Sequence, residues 1–367
     1  MIKYGLLLFV CLLSLPIKAQ RLAEFISNWE EKRHRFLPIP LIAYTPETNW
    51  MFGASVAHLY RLKDDSLSNV SYTSLTGFYT LNRQYVFNLQ FQFNFKENTN
   101  RLEGAAVFEK YPFQYFGLGN WNTSEDREAY NSNQMVLKLR YLRKVLPGFF
   151  IGLQVRHQSA YNIEAQKEGG LFDQGLVPGG DGFDATGIGA NLTYDTRDNP
   201  FYPFEGHYMQ LSNHNYLDIL GSDMQFYNLK FDLRSYVNPG NRAHVLAFQS
   251  VFDFNIGEQP PFLMMAQIGG EQLLRGILRG KYRDRHMLLT QFEYRFPIWW
   301  RFSGAVFGGA AEVMDQWSDL DWPGVRLAGG AGLRFTLNAQ ERLNIRFDVG
   351  FGPDGSWNWY LVLNEAF

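Results

Sequence analysis

The chain has 367 residues and a single cysteine, Cys11. A protein built this way holds no internal disulfide framework and no thiolate metal cluster. Charge is sparse, with Asp, Glu, Lys and Arg making up 19% of residues. Its signs nearly cancel, at a net charge of −2. Without a basic surplus, nucleic acid is not an expected partner. Beyond the N-terminus no apolar run approaches the ~20 residues of a membrane-spanning helix. That excludes a helical membrane bundle.

Aromatic residues, by contrast, are abundant at 17%, with 32 Phe, 20 Tyr and 9 Trp, beside 34 Gly. This composition argues against disorder. The N-terminus reads as a secretory signal. Lys3 supplies the positive start, Leu6 to Leu15 the apolar stretch, and Ile17-Lys18-Ala19 a cleavage tripeptide. Residues 1–19 are therefore expected to leave, and Cys11 with them. Val10 stands where a lipoprotein acceptor would have a small neighbour, so Cys11 is not expected to carry lipid. Next, Leu22, Phe25, Ile26 and Trp29 recur at helical spacing. The expectation is a short helix within a periplasmic segment 20–36.

From residue 37 onward the pattern is alternation. Tyr85, Phe87, Leu89, Phe91 and Phe93 fall on one face, Asn88, Gln90, Gln92 and Asn94 on the other. The same division recurs in Tyr227–Leu233, Leu343–Phe351 and Trp357–Leu363. Strands greasy on one side and polar on the other suit a barrel in lipid, with acyl chains outside and a polar lumen. The expected fold is all-β: a transmembrane antiparallel β-barrel of about sixteen strands over 37–367. Connections alternate in length. Turns such as Leu146-Pro147-Gly148, Asn238-Pro239-Gly240 and Pro297-Ile298-Trp299 are short, while Lys167–Gly182, Gln259–Asp284 and Asp315–Gly324 are long. Short periplasmic turns and long outer loops are the usual barrel asymmetry. A secreted soluble β-protein is the alternative, and it would have to hide every aromatic face in a second sheet.

Three segments add specificity. The first is Tyr194-Asp195-Thr196-Arg197-Asp198 with Pro203, Glu205 and Gly206. The second is Gly269-Gly270-Glu271-Gln272-Leu273-Leu274-Arg275-Gly276, with Tyr282-Arg283-Asp284 and Phe292-Glu293-Tyr294-Arg295-Phe296-Pro297. The third is Gly332-Leu333-Arg334 leading to Asn344-Ile345-Arg346-Phe347-Asp348. In this order the set resembles the barrel domain of the outer-membrane assembly factors, the bacterial surface antigen family of BamA and TamA types. The resemblance covers about Leu37 to Phe367.

It implies an integral protein of the Gram-negative outer membrane, in contact with the lipopolysaccharide leaflet, that helps insert or export proteins or lipids. Client outer-membrane proteins and assembly machinery are the implied partners. The resemblance also implies that Arg275-Gly276 tips a sixth outer loop folded into the lumen, where Arg275 meets Glu293. Alternation independently puts Gln291, Glu293 and Arg295 on the lumenal face. Asp195, Arg197, Asp198 and Gly206 read as a structural turn.

This sequence also departs from the pattern. Gly309 stands where the family often has Asp, leaving Arg275 expected to be short of one carboxylate. Ile277 replaces a usual aromatic. Family members usually carry periplasmic POTRA domains, whereas segment 20–36 is too short for one.

No cofactor and no metal site are expected, and the chain does not read as an enzyme. His157 and Ser159 share a strand face without an evident third partner. The Gly179–Asp184 stretch reads as a turn rather than a calcium loop. The alternative function is a passive or gated pore plugged by the Gln259–Asp284 loop. The seam between first and last strands is marked by Pro38 and Pro40, which lack N–H donors, and by Phe367, read as the aromatic end of a last membrane strand. Both prolines share parity and so withhold donors from the same neighbour, expected to be the last strand.

Overall fold

A computed structural model describes residues 34–45, 49–60, 68–123, 125–240, 244–339 and 342–367. The signal peptide and the Leu22–Glu31 helix expected from the sequence lie outside these residues.

Sixteen strands form one antiparallel sheet in which every neighbour in the sheet is the next long strand in the chain. They are β1 (His34–Thr45), β2 (Asn49–Tyr60), β3 (Ser71–Thr80), β4 (Tyr85–Phe95), β5 (Asn100–Tyr115), β6 (Glu128–Leu146), β7 (Phe149–Ala165) and β8 (Phe183–Asp195). The second half comprises β9 (Gly206–Tyr216), β10 (Phe226–Val237), β11 (Val245–Gly257), β14 (His286–Trp299), β15 (Phe302–Met314), β16 (Arg326–Asn338), β17 (Leu343–Phe351) and β18 (Trp357–Leu363). Two three-residue strands, β12 (Ala266–Ile268) and β13 (Tyr282–Asp284), pair with each other inside the long loop between β11 and β14.

The up-and-down order follows from the sequence: short turns allow only antiparallel neighbours. Two boundaries differ from the expectation. β1 opens at His34, so His34, Arg35 and Phe36 belong to the barrel and not to the segment before it. Pro297, Ile298 and Trp299 extend β14 through a register shift, and the turn falls at Trp300 and Arg301 instead.

Alternation sorts the side chains as a barrel requires. Phe87, Leu139, Leu153, Phe248, Phe292, Leu333 and Trp359 are all exposed on the outer face. In water such a belt would be a large apolar liability; in a bilayer it is the solvated surface. The opposite face is polar and largely buried, with Gln154, Asn191, Gln249, Gln291, Glu293 and Arg334 each below a tenth exposed.

The sheet curls on itself. Leu59 of β2 and Leu343 of β17, near opposite ends of the strand order, share one buried cluster with Val70. Phe201, from the β8–β9 turn, packs against this same cluster. Among the described residues no ladder joins β1 to β18; each has one partner, β2 and β17 respectively.

Candidate functional site: a lumenal loop lock

The loop over residues 258–285 does not stand out in solvent. Ile268, Leu274, Ile277 and Tyr282 pack with Val251 of β11, Met287 and Leu289 of β14, and Ala311 and Val313 of β15. That apolar seat explains Ile277: the position needs a close-fitting aliphatic group and is 1% exposed. On the other side of the loop, Phe262 packs with Tyr115 of β5 and Tyr130 of β6. Gly119 N–H donates to the Arg283 carbonyl at 2.8 Å. The loop therefore bridges two walls of the lumen.

Its tip is Leu274-Arg275-Gly276. Leu274 sits at φ 55° and Gly276 at φ 117°, a left-handed turn that suits glycine. A Cβ on Gly276 would lie 2.6 Å from the Phe351 carbonyl carbon, and one on Gly350 would lie 2.7 Å from the Arg275 backbone. Loop backbone thus lies directly on β17 backbone, which only two glycines permit. Tyr360 Oη accepts from the Gly276 N–H at 3.1 Å, and Asn358 Nδ2 donates to the Gly276 carbonyl at 2.8 Å. Asn358 and Tyr360 belong to β18, the last strand of the sheet.

The Arg275 side chain reaches two carboxylates, Glu293 on β14 and Asp348 on β17. Its guanidinium carbon lies 3.6 Å from the centroid of the Phe307 ring. Around this trio sit three further arginines and a third acid. Arg295 Nε donates to Glu293 at 2.7 Å, and Arg334 contacts Glu293 at 3.1 Å and Asp348 at 2.6 Å. Arg346 reaches Asp348 at 2.6 Å, and Arg334 reaches Glu365 at 3.2 Å. None of these seven side chains is more than 2% exposed. Taking so many charges out of water is costly unless each is paired. Here the forked arginines interleave with the acids: Glu293 and Asp348 each accept from three guanidiniums, and Glu365 accepts from Arg334 and from the Asn344 amide.

The predicted pair Arg275–Glu293 is therefore present, with Gly276 as its turn. The expected deficit at Gly309 is not. Asp348 supplies the second carboxylate from β17, and a Cβ on Gly309 would lie 2.6 Å from the Thr290 carbonyl. Asp348, Arg334 and Arg346 were visible as a motif, but nothing in their spacing assigned them to this loop. Glu365 was not anticipated.

Phe367 is a correction. β18 ends at Leu363, Asn364 turns at φ 71°, and the following residues bend into the lumen. Phe367 is buried with Tyr202, Tyr236, Val245 and Ala247, and its main-chain oxygen accepts from Arg295 at 2.9 Å. It is not part of the sheet edge. Pro38 and Pro40 do lie in the edge strand β1, opposite Val56 and Ala54 of β2.

The Asp195 turn is a turn, as expected, and it also reaches across the barrel mouth. Asp195 holds Arg197 at 2.9 Å, and Asp198 accepts from the Phe204 and Glu205 N–H groups at 2.9 and 3.2 Å. Asp198 additionally pairs with Arg342 from the β16–β17 turn. Gly206, at φ 104°, leaves no room for a side chain, since a Cβ would lie 2.3 Å from the Thr196 carbonyl.

His157 bonds Thr186 at 2.9 Å rather than Ser159. Among the described residues no three His, Cys, Asp or Glu side chains are grouped to hold a metal.

These features define a lipid-facing β-barrel with a loop locked inside it. The Omp85 superfamily domain matches residues 44–367, and the chain belongs to that superfamily. Omp85 barrels are assembly and transport factors rather than enzymes, and membership carries a general role in outer-membrane insertion or secretion. Among solved structures, the chain is similar to BamA from Haemophilus ducreyi lacking POTRA domains 1–3. The TM-score is 0.56 at 15% identity, covering 91% of this chain and 70% of that one. It is also similar to CdiB from Acinetobacter baumannii, with TM-score 0.57, 9% identity, and coverage of 91% of this chain and 60% of that one. CdiB from Escherichia coli gives 0.55 at 10% identity, covering 89% and 61%. The chain thus spans less than two thirds of either CdiB, and at these identities the likeness is one of fold. No curated protein sequence matches the chain closely enough to count as a relative.

Proposed function

We propose that the chain assists insertion or export of proteins, or lipids, at the outer membrane of a Gram-negative bacterium. Residues 1–19 direct export and are removed. Client outer-membrane proteins and their assembly machinery are the partners, and the lipopolysaccharide leaflet surrounds the barrel. The observation that carries this reading is the grip of the loop tip on β18, through Asn358 and Tyr360. A loop that holds the last strand also holds one side of the seam.

On the other side, β1 lacks donors at Pro38 and Pro40. Facing the last strand, those gaps leave a short closing ladder. An edge with few committed hydrogen bonds can pair with an incoming strand. Cysteines placed across β1 and β18 test this in a reconstituted insertion assay. Activity lost on oxidation and regained on reduction supports the lateral seam; full activity in the locked barrel removes it.

The second reading, a gated pore, draws on a different observation. Gln90 and Lys138, on the lumenal faces of β4 and β6, remain exposed despite the loop. Steady conductance that rises when the loop is deleted favours this reading.

A further inference from the structure

Away from the loop lock, β6 and β7 present a second charged site. Leu137, Leu139, Leu153 and Val155 are exposed on the lipid face. Strand alternation therefore turns Lys138, Arg140, Gln154 and Arg156 to the lumen. Lys138 lies directly opposite Arg156 in the β6–β7 ladder. Like charges directly opposite each other destabilise a strand pair. Arg140, Lys230 of β10 and Arg279 of the long loop also stand near enough to act on the charge of Lys138.

The nearby acids do not balance this group. Glu103 is taken by Arg140 across the β5–β6 ladder. Asp253 is taken by Lys230 at 3.1 Å and by Asn228 at 2.7 Å. Glu109 acts on Arg279 through space but makes no ion pair with it among the described residues. Arg156 donates from one Nη to Gln158 at 2.5 Å, while its buried Nε has no acceptor. Lys138 and Arg279 have no ion-pair partner among the described residues, and both are exposed.

We propose that Lys138, Arg156 and Arg279 form an anion-binding site on the lumenal wall, taking a dianionic phosphate group, either free or carried on a lipid headgroup. The chemistry fits a phosphate. Arg156, part-exposed and without a carboxylate partner among the described residues, offers its guanidinium fork, Lys138 a mobile point charge, and Arg279 closes from the loop. The bound anion relieves the Lys138–Arg156 repulsion and ties the loop to β6 and β7, a wall its Arg275 lock does not touch.

The test uses the full protein in neutral detergent, with its thermal unfolding midpoint measured against pyrophosphate and against chloride at equal ionic strength, so that screening is constant. A second arm adds diphosphoryl lipid A to the micelles. The wild-type midpoint is expected to rise with pyrophosphate, with the lipid, or with both, beyond the chloride control. A response to lipid alone assigns the headgroup as the source. The K138Q/R156Q variant is expected to lose the response and, without phosphate, to be at least as stable as wild type because the repulsion is gone.

Arg279→Gln, on an exposed loop residue, keeps the test decisive if the double variant does not fold. It should weaken the apparent affinity about tenfold, the loss of one charge-assisted contact. Responses to pyrophosphate and to the lipid that both fail to exceed the chloride control, or an unchanged response in these variants, would overturn the proposal.

Discussion

Arg275 and Asp348, 73 residues apart in the chain, meet in the lumen as a buried ion pair. The first belongs to the long loop and the second to β17, next to the sheet's last strand. Their contact makes the loop part of the wall that the seam must use.

The charges of the cluster are unequal in importance. Glu293 accepts from Arg275, Arg295 and Arg334, so Glu293→Gln leaves three guanidiniums short of a partner. Breaking a buried pair by removing one partner costs about 3–5 kcal/mol. Arg275→Ala is milder, because Glu293 and Asp348 keep other arginines. Heat-modified migration in detergent should therefore show E293Q barrels opening at a lower temperature than R275A barrels. The reverse order would place the balance of charge elsewhere.

Gly276→Ala tests the backbone contact without touching charge. The new methyl would need the left-handed φ of 117° and would collide with Phe351. The loop tip should leave β17 and become open to added protease, while the strands still form. Protection equal to wild type would show that the tip has other room.

Asp284 gives the docked loop a pH dependence. Burial pushes its carboxyl up to about 6, helped by the nearby Asp315 and opposed by the Arg285 N–H it accepts from. A carboxyl raised above its free value binds its proton more tightly in the docked loop than in the released one. Docking is then firmest below the free value and weakens as pH rises through about 6. Protease release of the loop should be slower at acid than at neutral pH, and Asp284→Asn should flatten the difference.

Phe367→Ala removes an aromatic group from the cluster of Tyr202, Tyr236 and Val245. A buried Phe→Ala change costs about 3–5 kcal/mol. The thermal midpoint should fall while membrane insertion persists. Failure to insert with an unchanged midpoint would return Phe367 to the role of a strand-end signal.

Strand order was legible because alternation has a period of two and every strand has a lipid face. Glu293 was legible for the same reason, through its parity with Gln291 and Arg295. Parity says which wall a side chain faces, not which loop it meets, so Asp348 stayed unassigned until the fold brought it to Arg275. Phe367 was misplaced although a signal existed. Glu365 continues the parity of Trp357, Trp359 and Leu361, so an unbroken strand would put a carboxylate in lipid. The chain turns at Asn364, and Glu365 meets Arg334 instead.

Hydrogen exchange of β18 in the intact, detergent-held barrel bears on the seam most directly. If the loop tip holds the edge, Arg275→Ala should speed exchange across residues 357–363 and leave β6 and β7 as protected as in wild type. Unchanged protection of β18 in a variant whose loop has demonstrably left the lumen would contradict the account.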